Sequence, residues 1–367
     1  MSASCCDACL RRGYLVGLLA GRIAGLLDRP GCRPGGLLAL EDAELAMAVG
    51  GEGTDEAIDF LGRFEPRRAR ADLRHAEVAA ICRHHDGYPA LLRDLGDPPA
   101  TLFCCGRVEL LAAVDEEPAV TIVGTRDASP YGLDVAHDLA RGLAAAGVTT
   151  VSGMALGIDA AAHRGALGAR GATVAVLAGG PDVAYPRRHR DLHRQIRESG
   201  LVVSELPPGQ RPYRWSFPAR NRLMAALARM TIVVEAGESS GTLITAEVAQ
   251  DLGRILAAVP GRVTARVAAG SNRLLREGAP VIRGASDALD ELFGVGAHVP
   301  VPLSPADVDP LQRRLLDAVE AGLDVDAICE FAGVPVNEGR AALARLETRG
   351  LVRRDGLFGW EPARTRR

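Results

Sequence analysis

Between residues 119 and 293, short runs of predominantly apolar residues alternate with amphipathic stretches. The runs lie at 120–123, 149–152, 173–177, 201–204, 231–235 and 255–259. A strand covered on both faces reads this way, because neither face carries the polar half of an alternating pattern. The stretches between them, such as 132–146 and 242–253, repeat apolar residues at three- and four-residue spacing, as helices with one buried stripe do. Strand and helix in alternation predict a parallel, doubly wound sheet with right-handed crossovers.

The flanks follow other patterns. From Cys9 to Asp115 leucines and alanines recur at helical spacing, broken by Pro30, Pro34, Gly50, Gly51 and Pro66. This predicts a helical domain over residues 1–115. Pro300, Pro302, Pro305 and Pro310 mark residues 296–310 as a linker. Beyond it, 311–321, 325–332 and 336–349 read as three short helices, and 351–360 as two strands around Asp355 and Gly356. Three helices and a β-wing are the winged-helix pattern, placed over 311–362. The expected fold class is α/β: an extended Rossmann-like parallel sheet over 116–295, with an N-terminal helical domain and a C-terminal winged helix.

A chain of 367 residues exceeds the roughly 250–300 that one core holds, which agrees with that division. The formal charge of −3 excludes a molecule that attracts polyanions over its whole surface, so any such site must be local. All 43 basic residues other than histidine are arginine. They occur on unremarkable helices too, so their number reflects composition and only their position is informative. The absence of lysine excludes a Walker-type P-loop. No run approaches the roughly 18 apolar residues of a membrane span, so a cytoplasmic protein without membrane contact is expected.

The cysteines, Cys5, Cys6, Cys9, Cys32, Cys82, Cys104, Cys105 and Cys329, are too irregularly spaced for a disulfide framework. Cys6 and Cys9, with Cys82-Arg83-His84-His85 downstream, are ligand types suited to zinc. One CxxC without a matched second pair is a weak signal, so the thiols are read as reduced and incidental, and neither metal nor cofactor is expected.

Ligands of open parallel sheets bind beyond the carboxyl ends of the strands. Here the loops at those ends are rich in glycine, hydroxyls and arginine. Gly124-Thr125-Arg126 leaves the first strand; Ser152-Gly153-Met154-Ala155-Leu156-Gly157 leaves the second. Glycine admits close approach, hydroxyls donate to phosphate oxygens, a helix start presents free N–H groups and arginine adds a bidentate cation. The two loops read as adjacent anion cradles, although neither fits the dinucleotide fingerprint.

Residues 181–229 hold ten arginines against four acids, a surplus of six, which leaves −9 for the remainder. Tyr185, Tyr213, Trp215 and Phe217 sit within that stretch, although the chain is only 4% aromatic. Cations interleaved with stacking surfaces are the composition of single-stranded nucleic-acid sites. Further loops carry Phe217-Pro218-Ala219-Arg220-Asn221-Arg222, Ser239-Ser240-Gly241-Thr242, Val259-Pro260-Gly261 and Ala269-Gly270-Ser271-Asn272. Arg220 and Arg222, two residues apart, cannot share one helical face, so one is expected to meet the ligand and the other to pair structurally.

In this order and at these intervals, VGTR, SGMALGIDAAAH, YP, FPARNR, SSGTLITAE, VPG and GSNRLLREGA resemble the DNA-processing protein A family, also called Smf. The likeness spans residues 120–279, with a weaker echo at Asp86-Gly87-Tyr88-Pro89. It implies a Rossmann-like domain that binds incoming single-stranded DNA during natural transformation, forms a homodimer and loads the RecA recombinase, without catalysis. It also implies a divergent N-terminal domain of the sterile-alpha-motif type. By the same likeness Arg126 holds a DNA phosphate, and Tyr185 and Arg187 lie at the YP motif, with His189 where an asparagine is common. The expected DNA-contacting set is Gly124, Thr125, Arg126, Ser152, Gly153, Met154, Gly157, Tyr185, Arg187, Arg220, Asn221, Arg222, Ser240, Gly241, Thr242 and Asn272.

Two other functions compete. Residues 240–247 resemble the phosphate loop of nucleotide phosphoribohydrolases, but Glu247 falls five residues after Thr242 where that pattern needs three. A duplex-DNA regulator would use Arg340, Arg345, Arg349, Arg353 and Arg354 of the winged helix, diluted by Glu338, Glu347, Asp355 and Glu361.

Overall fold

The computed structural model describes residues 5–27, 34–295, 310–348, 352–355 and 359–362. They divide into two units, residues 1–295 and 296–367. The first begins with five helices: α1 (Asp7–Leu27), α2 (Pro34–Leu38), α3 (Asp42–Gly50), α4 (Thr54–Arg63) and α5 (Pro66–His75). Strands β1 (Ala79–Cys82) and β2 (Thr101–Gly106), then α6 (Glu109–Glu116), lead into the alternating region. There follow β3 (Ala119–Val123), α7 (Pro130–Ala145), β4 (Thr149–Ser152), α8 (Ile158–Gly168), β5 (Thr173–Leu177), α9 (Arg190–Ser199) and β6 (Leu201–Ser204). The unit closes with α10 (Ser216–Ala226), β7 (Met230–Val233), α11 (Thr242–Asp251), β8 (Ile255–Ala258), α12 (Ala269–Arg276) and α13 (Ala285–Phe293).

The eight strands form one sheet in the order β1-β2-β6-β5-β4-β3-β7-β8. From β6 to β8 all pairings are parallel, whereas β2 pairs antiparallel with both β1 and β6. Alternate residues of β3 serve opposite layers. Val120 and Ile122 pack with Leu139 of α7 and Ala162 of α8, while Val123 packs with Leu223 of α10 and Ala246 of α11. Both faces are thus covered, the reason these strands lack a polar alternation. Winding runs outward from β3 to β6, then returns to β7 on the other side of β3. That reversal is the topological switch point, where a crevice opens beyond the strand ends.

The expectation of a purely helical segment over residues 1–115 is corrected in two respects. β1 and β2 lie within it and extend the main sheet by two antiparallel strands. The preceding helices belong to the same unit as the sheet. Leu15, Leu19 and Ile23 of α1 share a core with Leu206 and Trp215, and the Trp215 indole donates to the Ala20 carbonyl at 2.9 Å. Strands reading AAIC and TLFCCG are short and, in β2, buried on nearly every residue, so they carry no alternation to separate them from helix.

The second unit has α14 (Pro310–Glu320), α15 (Val325–Ala332), α16 (Val336–Thr348) and an antiparallel pair, β9 (Val352–Asp355) with β10 (Gly359–Pro362). Leu315, Ile328, Leu343 and Val352 form its core. Asp324 caps α15 by accepting from the Ala327 N–H at 2.9 Å, and Gly333 ends that helix at φ 68°. The linker prolines Pro300, Pro302 and Pro305, with Arg349 and Gly356, lie outside the described residues. No helix among the described residues is long and apolar enough to cross a membrane.

Candidate nucleic-acid interface

A cleft of about 340 Å³ opens at the switch point. Gly124, Thr125 and Arg126 reach it from the end of β3, Ala155 from the loop after β4, Asp159 from the start of α8, Phe217, Arg220 and Asn221 from α10, and Ser240, Gly241 and Thr242 from the start of α11. A smaller pocket of about 80 Å³ adjoins it, lined by Gly153, Ala178, Gly179, Tyr185, Pro186 and Pro212. Arg126, Ala155, Phe217 and Arg220 line both.

Arg126 is exposed, and among the described residues its guanidinium has no carboxylate partner. It lies 5.0 Å from the centroid of the Phe217 ring, a cation–π contact that holds a charge at the rim without neutralising it. Tyr185 stands beside Phe217, ring centroids 5.7 Å apart, and is 45% exposed. Together they form an aromatic shelf next to a free cation.

The loops hold themselves in place by their own polar groups. Thr242 Oγ1 donates to the Gly124 carbonyl at 3.0 Å, Ser240 Oγ donates to Thr242 Oγ1 at 3.0 Å, and Asn221 Nδ2 donates to the Gly241 carbonyl at 3.2 Å. The Asp127 N–H donates to Thr125 Oγ1 at 3.2 Å, a local turn bond that fixes the hydroxyl beside Arg126. Buried Glu235 accepts from Ser129 Oγ at 2.6 Å and Ser129 N at 2.9 Å, anchoring the start of α7.

The second expected cradle is occupied from within. Asp159, buried at the start of α8, accepts from Gly153 N at 3.1 Å and Ala155 N at 3.3 Å through Oδ2. Burial pushes the Asp159 carboxyl up, and the nearby Arg220 charge opposes that shift. Arg220 is 6% exposed; burial lowers it to about 10 against the pull of Asp159, so it keeps its charge at neutral pH. Its Nη1 donates to the carbonyls of Gly153 at 2.6 Å and Val176 at 2.5 Å. A Cβ on Gly153 would fall 1.9 Å from that Nη1, so only glycine leaves room for the arginine. Gly157 takes φ 77°, a left-handed turn into α8 that glycine adopts without strain.

Several expected contact residues stand elsewhere. Arg222 is 8% exposed and turned into the protein, with Nη2 donating to both Glu205 oxygens at 2.8 and 2.9 Å and Nε 3.2 Å from Asp97. Arg222 thus pairs structurally, as expected of one of the two, but Arg220 is buried as well and is held by backbone carbonyls. Ser152 is buried and donates to the Ile122 carbonyl at 2.7 Å; Met154 is fully buried, and its carbonyl lies 3.1 Å from His189 Nδ1. Asn272 bonds both backbone groups of Gly261, at 3.0 and 3.1 Å, and bounds neither cavity. Trp215 and Tyr213 pack with α1, so half of the aromatics in the basic stretch are core.

The basic stretch divides in the same way. Arg194 and Arg197 pair with Asp191 and Glu77. Arg187, Arg188, Arg190, Arg211 and Arg214 are exposed, and no carboxylate pairs with them among the described residues. Arg187 follows Pro186 and Arg211 precedes Pro212, two residues that line the smaller pocket, although these arginines do not line it themselves. Phe217 was missing from the expected contact set; its proximity to Arg126 joins positions 91 apart in sequence, which no local pattern reports.

The fold and site define a Rossmann-like protein that presents arginines and an aromatic shelf at its switch point and carries no dinucleotide fingerprint. Residues 79–293 match the family described as DNA recombination-mediator protein A, and residues 299–356 match the DprA winged helix domain. The chain belongs to the DNA processing protein A (DprA/Smf) family. A Mycobacterium tuberculosis protein carrying the DprA name is 43% identical over 279 residues, 74% of this chain and 71% of its own length. The X-ray structure of DprA from Streptococcus pneumoniae superposes with TM-score 0.61 at 30% identity, covering 77% of this chain and 95% of that one. A Helicobacter pylori DNA processing protein A, whose structure describes a single-stranded DNA binding mode, superposes with TM-score 0.53 at 32% identity over 59% of this chain and 95% of its own.

Proposed function

We propose that this protein binds single-stranded DNA at the β3/β7 cleft without catalysis, in the DNA processing of transformation, and as a homodimer hands the strand to RecA. The observation that carries the reading is Arg126: exposed, in no ion pair among the described residues, resting on Phe217 and lining both cavities. In this reading Arg126, Thr125, Gly124, Asn221, Ser240, Gly241 and Thr242 meet phosphates, and Tyr185 with Phe217 stacks a base. Arg187 and the neighbouring exposed arginines track the backbone. Arg220, Gly153, Gly157, Ser152 and Met154 hold that surface in shape. The single-strand binding described for the Helicobacter pylori relative supports the ligand class. The hydrolase alternative finds no support, since Glu247 is exposed and does not line the cleft.

Fluorescence polarisation with labelled oligothymidylate and a duplex of equal length, across a salt series, tests the proposal. Single strands should bind more tightly than duplex, with affinity falling steeply as salt rises. Arg126→Ala should weaken single-strand binding by about 1–3 kcal/mol, roughly 5- to 150-fold, and lower the salt slope by about 0.7. Unchanged affinity in that variant sinks the site assignment. Failure to shorten RecA nucleation on a coated strand sinks the handover.

A further inference from the structure

One cluster of reactive side chains lies apart from the cleft and from everything proposed above. Cys6 and Cys9 flank the start of α1, while Cys82 ends β1 and His84 follows two residues later. The donor atoms of these four residues all lie within 4.8 Å of one another. His84 Nδ1 is 3.5 Å from Cys6 Sγ and 3.4 Å from Cys9 Sγ, and the Cys6 N–H points at Cys82 Sγ at 3.4 Å.

We infer that Cys6, Cys9, Cys82 and His84 hold a structural zinc ion that ties the first turn of α1 to the end of strand β1. Tetrahedral zinc, with Zn–S near 2.3 Å and Zn–N near 2.0–2.1 Å, sets its ligand atoms about 3.5–3.8 Å apart. The two sulfur–nitrogen distances already match, and the widest pair needs to close by about 1 Å to reach that geometry. Four protein ligands fill the coordination shell and leave no open position, which is the arrangement of a structural site and not of a hydrolytic one. An iron–sulfur cluster, whose several metal atoms push its ligands further apart than one ion does, does not fit within this spacing.

The surroundings are built for the same purpose. Thr101 Oγ1 donates to the Cys9 carbonyl at 2.7 Å and lies 3.4 Å from Cys5 Sγ, which draws that fourth thiol out of the set. Arg70 Nη2 donates to the Cys5 carbonyl at 2.9 Å and pairs with Asp7, fixing the chain just before α1. An N–H aimed at a cysteine sulfur stabilises it as thiolate, the form that binds metal. Cys9 and Cys82 are buried and Cys6 and His84 exposed, so the ion would sit at the surface with two ligands on the protein side. The expectation of incidental thiols rested on sequence spacing alone. Cys9 and Cys82 are 73 positions apart, and only the return of β1 against α1 supplies the second pair of ligands.

The test is the metal content of the full chain, purified without an affinity tag from zinc-supplemented medium, by inductively coupled plasma mass spectrometry. About one zinc per chain is expected in the wild type and in the control Cys329→Ser, with almost none in Cys82→Ser or His84→Ala. His84→Cys, which keeps four ligands, should retain the ion. Cobalt substitution supplies a readout that does not depend on the stability of the serine variants. Wild type should give tetrahedral d–d bands and a thiolate-to-cobalt charge-transfer band, and His84→Cys the same bands with a stronger charge-transfer component. A wild-type protein that carries no zinc and yields no such bands overturns the inference, as does full zinc occupancy in a folded Cys6→Ser, Cys82→Ser double variant.

Discussion

Replacing Arg222 by leucine tests whether this arginine of the FPARNR segment is structural, as its buried carboxylate partners indicate. In the wild type the Arg222 guanidinium grips Glu205 through both carboxylate oxygens and lies 3.2 Å from Asp97, with side-chain exposures of 9, 17 and 12% for Arg222, Glu205 and Asp97. The Asp97 arm lacks the alignment of a hydrogen bond, so it contributes as an ion pair only. Removing the cation from two nearly buried carboxylates costs about 3–5 kcal/mol, and the imperfect second arm puts the expectation near about 3. With a urea slope of about 3 kcal/mol per molar, the unfolding midpoint should fall by about 1 M. The loss also depends on pH in a defined direction. Burial holds the Asp97 carboxyl above its usual value, while Arg222 pulls it back and Glu205 adds to the rise. A carboxyl raised in the folded state contributes stability that is complete below the ordinary carboxylate range and is lost as pH rises through the folded value. Without Arg222 that value climbs further, so the variant's deficit relative to wild type must be larger at pH 8 than at pH 5. Urea unfolding followed by far-ultraviolet circular dichroism at both pH values reads the double difference. A deficit independent of pH, or a stable variant that has lost single-strand affinity, would refute the placement of Arg222 in the interior.

His163 is buried beside Thr173, its Nδ1 2.7 Å from the Thr173 hydroxyl, and burial pushes it down to about 3. A histidine lowered in the folded state stabilises above its unfolded value near 6.5 and loses that contribution as pH falls below it. Wild type should therefore lose about 1.4 kcal/mol in all from this group between pH 7.5 and 5.5, and His163→Gln should flatten the denaturation profile over that window; parallel profiles would remove the assignment. Gly153→Ala drives a methyl group into the Arg220 guanidinium, and displacing that buried cation from its two carbonyls should cost about 3 kcal/mol, read as a lower thermal midpoint; an unchanged midpoint would mean the arginine swings aside freely. Tyr185→Ala should weaken oligothymidylate binding by about 1–3 kcal/mol while leaving the salt slope unaltered, because stacking releases no counterions; a changed slope would instead mark an electrostatic effect.

The Rossmann-like core was legible because parallel strands buried on both faces leave continuous apolar runs, and six such runs fall on β3 to β8 within one or two residues. The winged helix was legible for a similar reason, since Asp324 and Gly333 cap α15 at the ends its pattern suggests. β1 and β2 were not, because the short, mostly apolar runs AAIC and TLFCCG fit either period. At the site, the glycine and hydroxyl loops were readable as loops, but the destination of each side chain was not. Arg222 and Arg220 look alike in FPARNR, and what separates them is Glu205 and Asp97 arriving from distant segments. Trp215 looked like a stacking surface until α1 covered it.

The Asp159 and Arg220 pair accounts for how this sheet differs from a nucleotide-binding one. In a dinucleotide site the turn after a strand presents N–H groups to a pyrophosphate. Here Gly153 and Ala155 already donate to Asp159, and the Arg220 charge is held close by in the buried wall. On the proposed function, an incoming strand finds that cradle filled and is met at the rim by Arg126 and the exposed arginines beyond Pro186 and Pro212. Rim cations and the Tyr185–Phe217 shelf touch a ligand from one side and leave its two ends open. For a mononucleotide that arrangement offers little enclosure, whereas a polyanion can lay successive phosphates along it, each contact adding its own release of counterions. On that reading the internal carboxylate, standing where a nucleotide site would hold a phosphate, favours a strand over a nucleotide, and it does so without lysine, since every cation it uses is an arginine.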